Sequence, residues 1–360
     1  MIDFAIHPNV YSVGRFSGLM PMLEDTWIHS HTPGDGVIYL ISGFANFNGG
    51  ARFYKLFKEH TEMGGKIVSF LGGSTSQRLS SKQVVEALLE CGSEVHIINR
   101  KRLLHSKCYG IKDSKGQKLI VTSGNFTGPG MSQNVESAIL LGNEEVSSTS
   151  FQWEDVELSI KSQKWQIHTP NLLDLTDPAW KLLYDESSKR VVLDETETVT
   201  LLVLLGKADT ARIQAEQGTK QGLGSQYFWL SKDSFGFFPS LNIKNKKGWK
   251  GTLSTMIKLR YVDLNLVSDE RVTFEAENNL DFRLGTGKLR YSKVAAPGDI
   301  ACISRVEEDF YELRIFKKDS IEFNNLQKHA ISYIGHQGKR YGYIDNSEFE
   351  EIAKLRLNTQ

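Results

Sequence analysis

The chain has 360 residues, with 43 basic and 43 acidic side chains, no formal net charge, 40% hydrophobic and 24% charged residues. This is the composition of a folded globular protein longer than one core ordinarily sustains, so two domains are predicted. Binding to nucleic acid through a global positive field is excluded, and any such affinity must reside in local patches. The longest apolar stretch, Val191 to Leu205, is broken by Asp194, Glu195 and Glu197, so no membrane-spanning helix is expected. The start, MIDFAIHPNV, has neither the basic nor the apolar region of a signal peptide, which predicts a cytoplasmic protein. Cys91, Cys108 and Cys302 are too few and too scattered for a disulfide framework or a zinc cluster, and read as reduced, buried thiols.

In chain order, the first 170 residues alternate strand-like and helix-like runs, the pattern of a layered α/β domain. His29-Ser-His31 would place two imidazoles on one strand face, but no third ligand is spaced with them. No metal is expected there, and a substrate contact stays open. Val37 to Ile41, Lys66 to Leu71 and Val95 to Ile98 read as strands. Ser42 has no G-x-S-x-G context, and Gly64-Gly-Lys66 lacks the spacing of a phosphate-binding loop, so no nucleotide cofactor is implied. Ser81 to Cys91 carries Val84, Val85, Leu88 and Leu89 at helical spacing and stops before Gly92.

Leu103 to Ile111 reads as a strand on which His105 and Lys107 share a face while Ser106 and Cys108 share the other. Asp113-Ser-Lys-Gly116 is a turn signal that predicts a hairpin with the strand Lys118 to Ser123. A glycine-rich turn, Gly124 to Gly130, would then present Asn125. The third strand, Val135 to Leu141, begins beside Glu136, whose alternation partner is Asn134. Polar groups therefore gather at the ends of three adjacent strands. A phosphodiester is anionic, and an enzyme that hydrolyses it without metal needs a neutral nucleophile ringed by fixed cationic and hydrogen-bonding groups. His105, Lys107 and Asn125 are groups of those kinds, and no cofactor is expected.

This segment, about 32 residues, resembles the phospholipase D superfamily. His105-x-Lys107 fits the H-x-K-x4-D motif, Ser123-Gly-Asn125 fits the glycine-rich element with its glycine rearranged, and Asn134-x-Glu136 fits the N-x-E of the nuclease branch. The motif's aspartate position is Lys112, with Asp113 one residue late. The resemblance implies an α-β-α layered catalytic domain in which His105 attacks phosphorus to form a phosphohistidine. Lys107 and Asn125 would hold the phosphoryl oxygens, and Glu136 would orient the imidazole. Such sites use two H-x-K motifs and this chain has one, so a homodimer with one shared site at an isologous interface is predicted. Chain length and a second domain after about residue 190 are similar to the metal-independent type IIS restriction endonucleases of this superfamily. That likeness implies hydrolysis of double-stranded DNA outside an asymmetric recognition site.

Residues 1–170 are thus expected to form the nuclease and dimerisation domain, and 171–192, with Pro178 and the polar run Asp185 to Arg190, the linker. Residues 193–360 lose helical periodicity, and Thr200 to Leu205, Thr273 to Ala276, Leu313 to Phe316 and Ile331 to Ile334 predict a mainly β domain. Its resemblance to restriction-enzyme effector domains and plant B3 domains implies a DNA-binding pseudobarrel. Between Gly206 and Arg260 there are ten Lys or Arg against three Asp or Glu, interleaved with Tyr227, Phe228, Trp229, Phe235, Phe237, Phe238 and Trp249. The phenylalanines read equally well as core. Arg212, Gln217, Lys220, Gln226 and Trp229 are expected on one DNA-facing arm, and Lys246, Lys247, Asn278, Asn279 and Arg283 on another. Two other readings share these residues: a phospholipid-type phosphodiesterase, for which no basic amphipathic helix is evident, and a DNA-binding regulator with an inactive catalytic domain.

Overall fold

The run Val37–Ser42 (VIYLIS) is too apolar to face water on either side, and it forms a strand whose two faces are both covered. The computed structural model describes residues 2–100, 102–186, 199–247, 250–275, 281–307, 309–334, 339–355 and 357. The chain divides into two units, Met1–Ser188 and Lys189–Gln360.

The first unit is built on one mixed sheet. Its strands are β1 (Asp3–His7), β2 (Tyr11–Val13), β3 (Val37–Ser42), β4 (Lys66–Gly73), β5 (Glu94–Asn99), β6 (Lys107–Asp113), β7 (Gly116–Thr122), β8 (Glu136–Leu141) and β9 (Gln166–His168), in the order β2-β1-β8-β7-β6-β3-β4-β5-β9. β3, β4 and β5 run parallel, joined by crossovers that carry the helices Tyr54–Glu62 and Lys82–Glu90; the remaining pairs are antiparallel. The second of these helices starts where Ser81 accepts a hydrogen bond from Val84 N and stops at Gly92, whose φ is +78°. On one face Tyr39 stacks on Trp153 at 4.8 Å, within a core that includes Ile41, Val68, Phe70 and Leu104. On the other, Trp27 packs edge-on against Phe53, Phe57 and Tyr109. Gly110 lets Trp153 approach β6, since a Cβ there would lie 2.6 Å from the indole.

The β6–β7 hairpin forms as expected. Asp113 pairs with Gly116, whose φ is +126°, and the Asp113 carboxylate accepts from Lys115 N at 2.8 Å. The linker expected over 171–192 starts later than its composition implied. Residues Pro178–Leu182 form a 3-10 helix, with Ala179, Trp180, Leu182 and Leu183 buried. The backbone there pairs with the first unit through Ser74 N to Leu182 O, Lys82 N to Tyr184 O and Tyr184 N to Ser80 O. Prolines and polar residues flank a short apolar anchor, and the flanks masked it. Residues 187–192 of that segment lie outside the described residues.

The second unit is mainly β, with β10 (Val199–Leu204), β11 (Tyr227–Leu230), β12 (Ile243–Lys247), β13 (Lys250–Tyr261), β14 (Leu266–Glu275), β15 (Asp281–Gly285), β16 (Ile300–Arg305), β17 (Phe310–Phe316), β18 (Ser332–Ile334) and β19 (Lys339–Asp345). The pairing runs β11-β15-β14-β13-β17-β16-β10-β19-β18, with β12 on β13. Among these described pairs only β13 and β17 are parallel. Leu202, Ile300, Cys302 and Ile344 pack under Phe323, Leu326 and Phe349 from two short helices, Ile321–Leu326 and Asn346–Ala353. Phe228, Phe237 and Phe238 are buried, so the core reading of these rings holds.

Candidate active site

Three strand ends and the turn between two of them bring the expected residues together. β6 begins at Lys107, so His105 stands just before the strand, not within it, and is exposed, while Lys107 is buried. Strand alternation is therefore not what relates them. The Lys107 side chain folds back, placing Nζ 3.0 Å from His105 Nδ1 and 3.1 Å from its carbonyl oxygen. Burial pulls the Lys107 ammonium below its ordinary pKa, and the Glu136 carboxylate acts in the opposite direction.

Asn125 is half-buried in the turn after β7, and its Oδ1 accepts from Phe44 N at 3.3 Å. This bond fixes the carboxamide with its NH2 group as the available donor. Glu136 opens β8. Its oxygens accept from Ser123 Oγ and, at 3.2 Å, from Asn134 Nδ2. Ser123 Oγ in turn accepts from Ser137 N at 3.0 Å, locking β7 to β8 at this end. Among the described residues Glu136 makes no hydrogen bond to His105, so its expected orienting contact is absent from this geometry. The carboxylate is held instead by Ser123 and Asn134.

Residues at and just after the end of β3 that carried no functional signal in the sequence brace this cluster. Ser42 is the register partner of Lys107; its hydroxyl accepts from Phe126 N at 2.9 Å and donates to Phe44 O at 2.7 Å. Gly43 admits the His105 segment, because a Cβ there would lie 2.3 Å from Leu104 O. Phe44 meets the His105 ring edge-on at 6.1 Å, and Asn46 Oδ1 accepts from Gly128 N at 3.0 Å. The one available cue was a Ser-Gly pair closing a wholly apolar strand, which marks a close backbone approach.

His29 and His31 do not share a strand face. Residues Asp25–His29 form a π-helical turn, and His31 is buried with its Nε2 2.9 Å from His60 Nδ1. The substrate contact left open for this pair is replaced at His31 by buried contacts to His60 and, at 3.8 Å, to the Asp113 carboxylate. No group of three or more His, Cys, Asp or Glu is gathered as metal ligands among the described residues, nor is any helix there long and apolar enough to cross a membrane.

In the second unit the expected DNA-facing residues separate into classes. Gln217 and Lys220 are exposed. Arg212 lies on the helix Lys207–Gln214, donates to Leu223 O at 2.7 Å and stands 5.8 Å from the Tyr227 ring; Arg283 faces the same ring at 5.4 Å. Trp229 and Arg283 are register partners on β11 and β15, so they belong to one surface and not to two arms. Gln226 is not available to bases: it is buried, donating to Asp209 O at 2.7 Å and Thr286 Oγ1 at 3.2 Å. Two acceptors from distant segments converge on it, which a single sequence does not reveal. Asp209 also accepts from Trp229 N at 2.8 Å and pairs with the buried Lys339 at 2.9 Å, fixing β11 against the helix. Lys246 and Lys247 end β12, and Asn278 and Asn279 lie outside the described residues.

Residues 193–355 match the family model of the metal-independent restriction enzyme BfiI DNA binding domain. No curated protein matches the chain. Among solved structures, Nuc from Salmonella typhimurium, a phospholipase D family member, is 12% identical with a TM-score of 0.33, over 47% of this chain and 99% of its own. The N-terminal domain of LlaJI.R1 from Helicobacter pylori is 14% identical with a TM-score of 0.25, over 41% of this chain and 97% of its own. NucT from Helicobacter pylori is 11% identical with a TM-score of 0.27, over 40% and 80% respectively. Residues 193–355 are thus similar to the BfiI DNA-binding domain, and they follow a first unit whose motifs resemble those of the phospholipase D-like nucleases.

Proposed function

We propose that the protein is a type IIS-like site-specific endonuclease that hydrolyses DNA phosphodiesters without a metal ion. The observation that carries this reading is the meeting of His105, Lys107 and Asn125 at adjoining strand ends, in a chain that also carries a BfiI-type DNA-binding domain. In a homodimer, His105 of one subunit attacks phosphorus through a ring nitrogen, giving a phosphohistidine as the P–O bond to the leaving group breaks. The partner's His105 donates its proton to the departing oxygen, then removes one from the water that releases the phosphate. Lys107 and the Asn125 amide hold the phosphoryl oxygens, as charge stabilisation and positioning dominate such transfers. Glu136, tied to Ser123 and Asn134, sets the field around Lys107.

Recognition belongs to a B3-type pseudobarrel over residues 193–360, with Arg212, Gln217, Lys220, Trp229 and Arg283 facing DNA. Lys246, Lys247, Asn278 and Asn279 are assigned to DNA contact with them on their residue types alone. Cleavage outside the recognised sequence follows from nuclease and reader being separate units. The test is incubation of a long duplex DNA with purified protein in excess EDTA. Discrete fragments are expected from the native chain and none from His105→Ala, which keeps sequence-specific binding. An absolute requirement for Mg²⁺ overturns the mechanism, and binding without cleavage by the native chain supports the regulator instead.

A further inference from the structure

A second histidine stands beside the site. His7 on β1 is the register partner of Glu136 on β8. Directly opposed residues of an antiparallel pair project to one face with Cβ atoms about 5 Å apart, so imidazole and carboxylate are neighbours. That face is the covered one, where Asp3, Ala5, Ala138 and Leu140 are also buried. His7 is 4% exposed, and Gly18 abuts it so closely that a Cβ there would sit 3.0 Å from the His7 Cβ. Its Nε2 is buried without a hydrogen-bond partner. Such an atom is rare in a native structure and calls for an explanation.

The surrounding charges narrow that explanation. On the His7 strand, Asp3 is engaged by the Arg15 guanidinium at 3.2 Å. From β8, Glu136 is the charged group that acts on the ring, opposing the burial that holds it below the ordinary histidine pKa. The same carboxylate acts on Lys107, which burial pulls below its ordinary value. Glu136 is thus shared between an orphaned imidazole and a buried ammonium.

We propose that His7 is a positioning residue: a neutral imidazole beside Glu136 that leaves the carboxylate to Ser123, Asn134 and the field of Lys107. The proposal rests on reading Lys107 and Glu136 as parts of a phosphodiesterase site. When acid protonates His7, the imidazolium competes for the Glu136 oxygens and draws the carboxylate from Ser123 and Asn134. The site then loses the placement of its carboxylate without any change in DNA binding.

The experiment compares full-length His7→Asn and His7→Gln with the native chain in single-turnover cleavage across pH, alongside DNA affinity and thermal unfolding. Expected are unchanged affinity, a near-native cleavage rate at neutral pH, and loss of one titration from the acid limb of the profile, with the variants about tenfold or more faster than the native chain at its acid end. A native rate and pH profile in both variants overturns the proposal. So does a parallel fall of affinity, unfolding temperature and rate, which would make His7 merely structural. His105→Ala in the same assay separates the two levels. If it abolishes cleavage while the His7 variants match the native chain, only the role of His7 fails; if it cleaves normally, the underlying reading of the site fails.

Discussion

Lys107 Nζ lies 3.0 Å from His105 Nδ1 and 3.4 Å from His105 Nε2, so the ammonium stands against both nitrogens of the ring. For His105 to attack phosphorus through its unprotonated nitrogen, Lys107 must turn from the ring to the phosphoryl group. The two copies of His105 in a dimer would then differ by which partner Lys107 has chosen. Lys107→Met is therefore expected to lower the single-turnover rate by about 10²–10³ while sparing DNA affinity, the cost of losing one preorganised stabilising group. A loss confined to affinity, read by titration with uncleaved DNA, would relegate Lys107 to ground-state binding.

In the proposed homodimer, activity depends on pairs of subunits. Mixing native chains with His105→Ala chains should give heterodimers holding one His105, unable to supply nucleophile and acid together. Cleavage is expected to track only the fraction of all-native dimers, measured by titrating one chain into the other. Heterodimers cutting at the native rate would contradict the shared site.

Trp180 is 6% exposed and donates through Nε1 to Asp174 O at 3.1 Å, within a segment whose backbone pairs with residues 74–82. Trp180→Ala should destabilise the first unit by about 3–5 kcal/mol, the usual cost of removing a buried large aromatic side chain. A fragment ending at residue 170 should melt below one ending at residue 188. Equal denaturation midpoints would show that the anchor contributes nothing to the fold.

The buried pair His31 and His60 gives stability a pH dependence of known sign. Burial lowers both pKa values from 6.5. The unfolded chain takes up protons first as pH falls, so stability present above pH 6.5 is lost as pH drops through the folded values. Thermal melts from pH 8 to pH 5 should show this decline, and His60→Gln should flatten it. An unchanged slope in the variant would assign the dependence elsewhere.

Arg212 and Lys220 should behave differently on DNA. If Arg212 reads a base, Arg212→Ala costs about 1–3 kcal/mol on the specific site and relaxes sequence preference, whereas Lys220→Ala, on phosphate, weakens all sequences alike. Competition binding with specific and random duplexes decides this. Identical losses on both duplexes for Arg212→Ala would remove it from base reading.

Legibility in the sequence followed the range of the interactions. The hairpin was plain because Asp113 and Gly116 act within four residues, and the helix over Lys82–Glu90 because Ser81 and Gly92 mark its ends locally. His105, Lys107, Asn125 and Glu136 were readable as a set because one short stretch carries them. Their brace was not: Ser42 and Phe44 bond to residues more than 80 positions away, and His7 reaches Glu136 only through sheet pairing. Gln226 misled for the same reason, since its partners Asp209 and Thr286 lie 17 and 60 residues off. A polar side chain in a basic, aromatic segment looks like a reader until its acceptors are located.

β10, near the start of the second unit, is hydrogen-bonded between β16 and β19, with Leu202 opposite both Cys302 and Gly342. A ribosome must therefore deliver the last strand before the first can be paired on both sides. Until residue 345 has emerged, Val199–Leu204 offers water an apolar strand with an open edge, the kind that recruits stray chains. Nascent chains stalled before Lys339 should consequently aggregate or be degraded, which couples closure of this sheet to synthesis past residue 345.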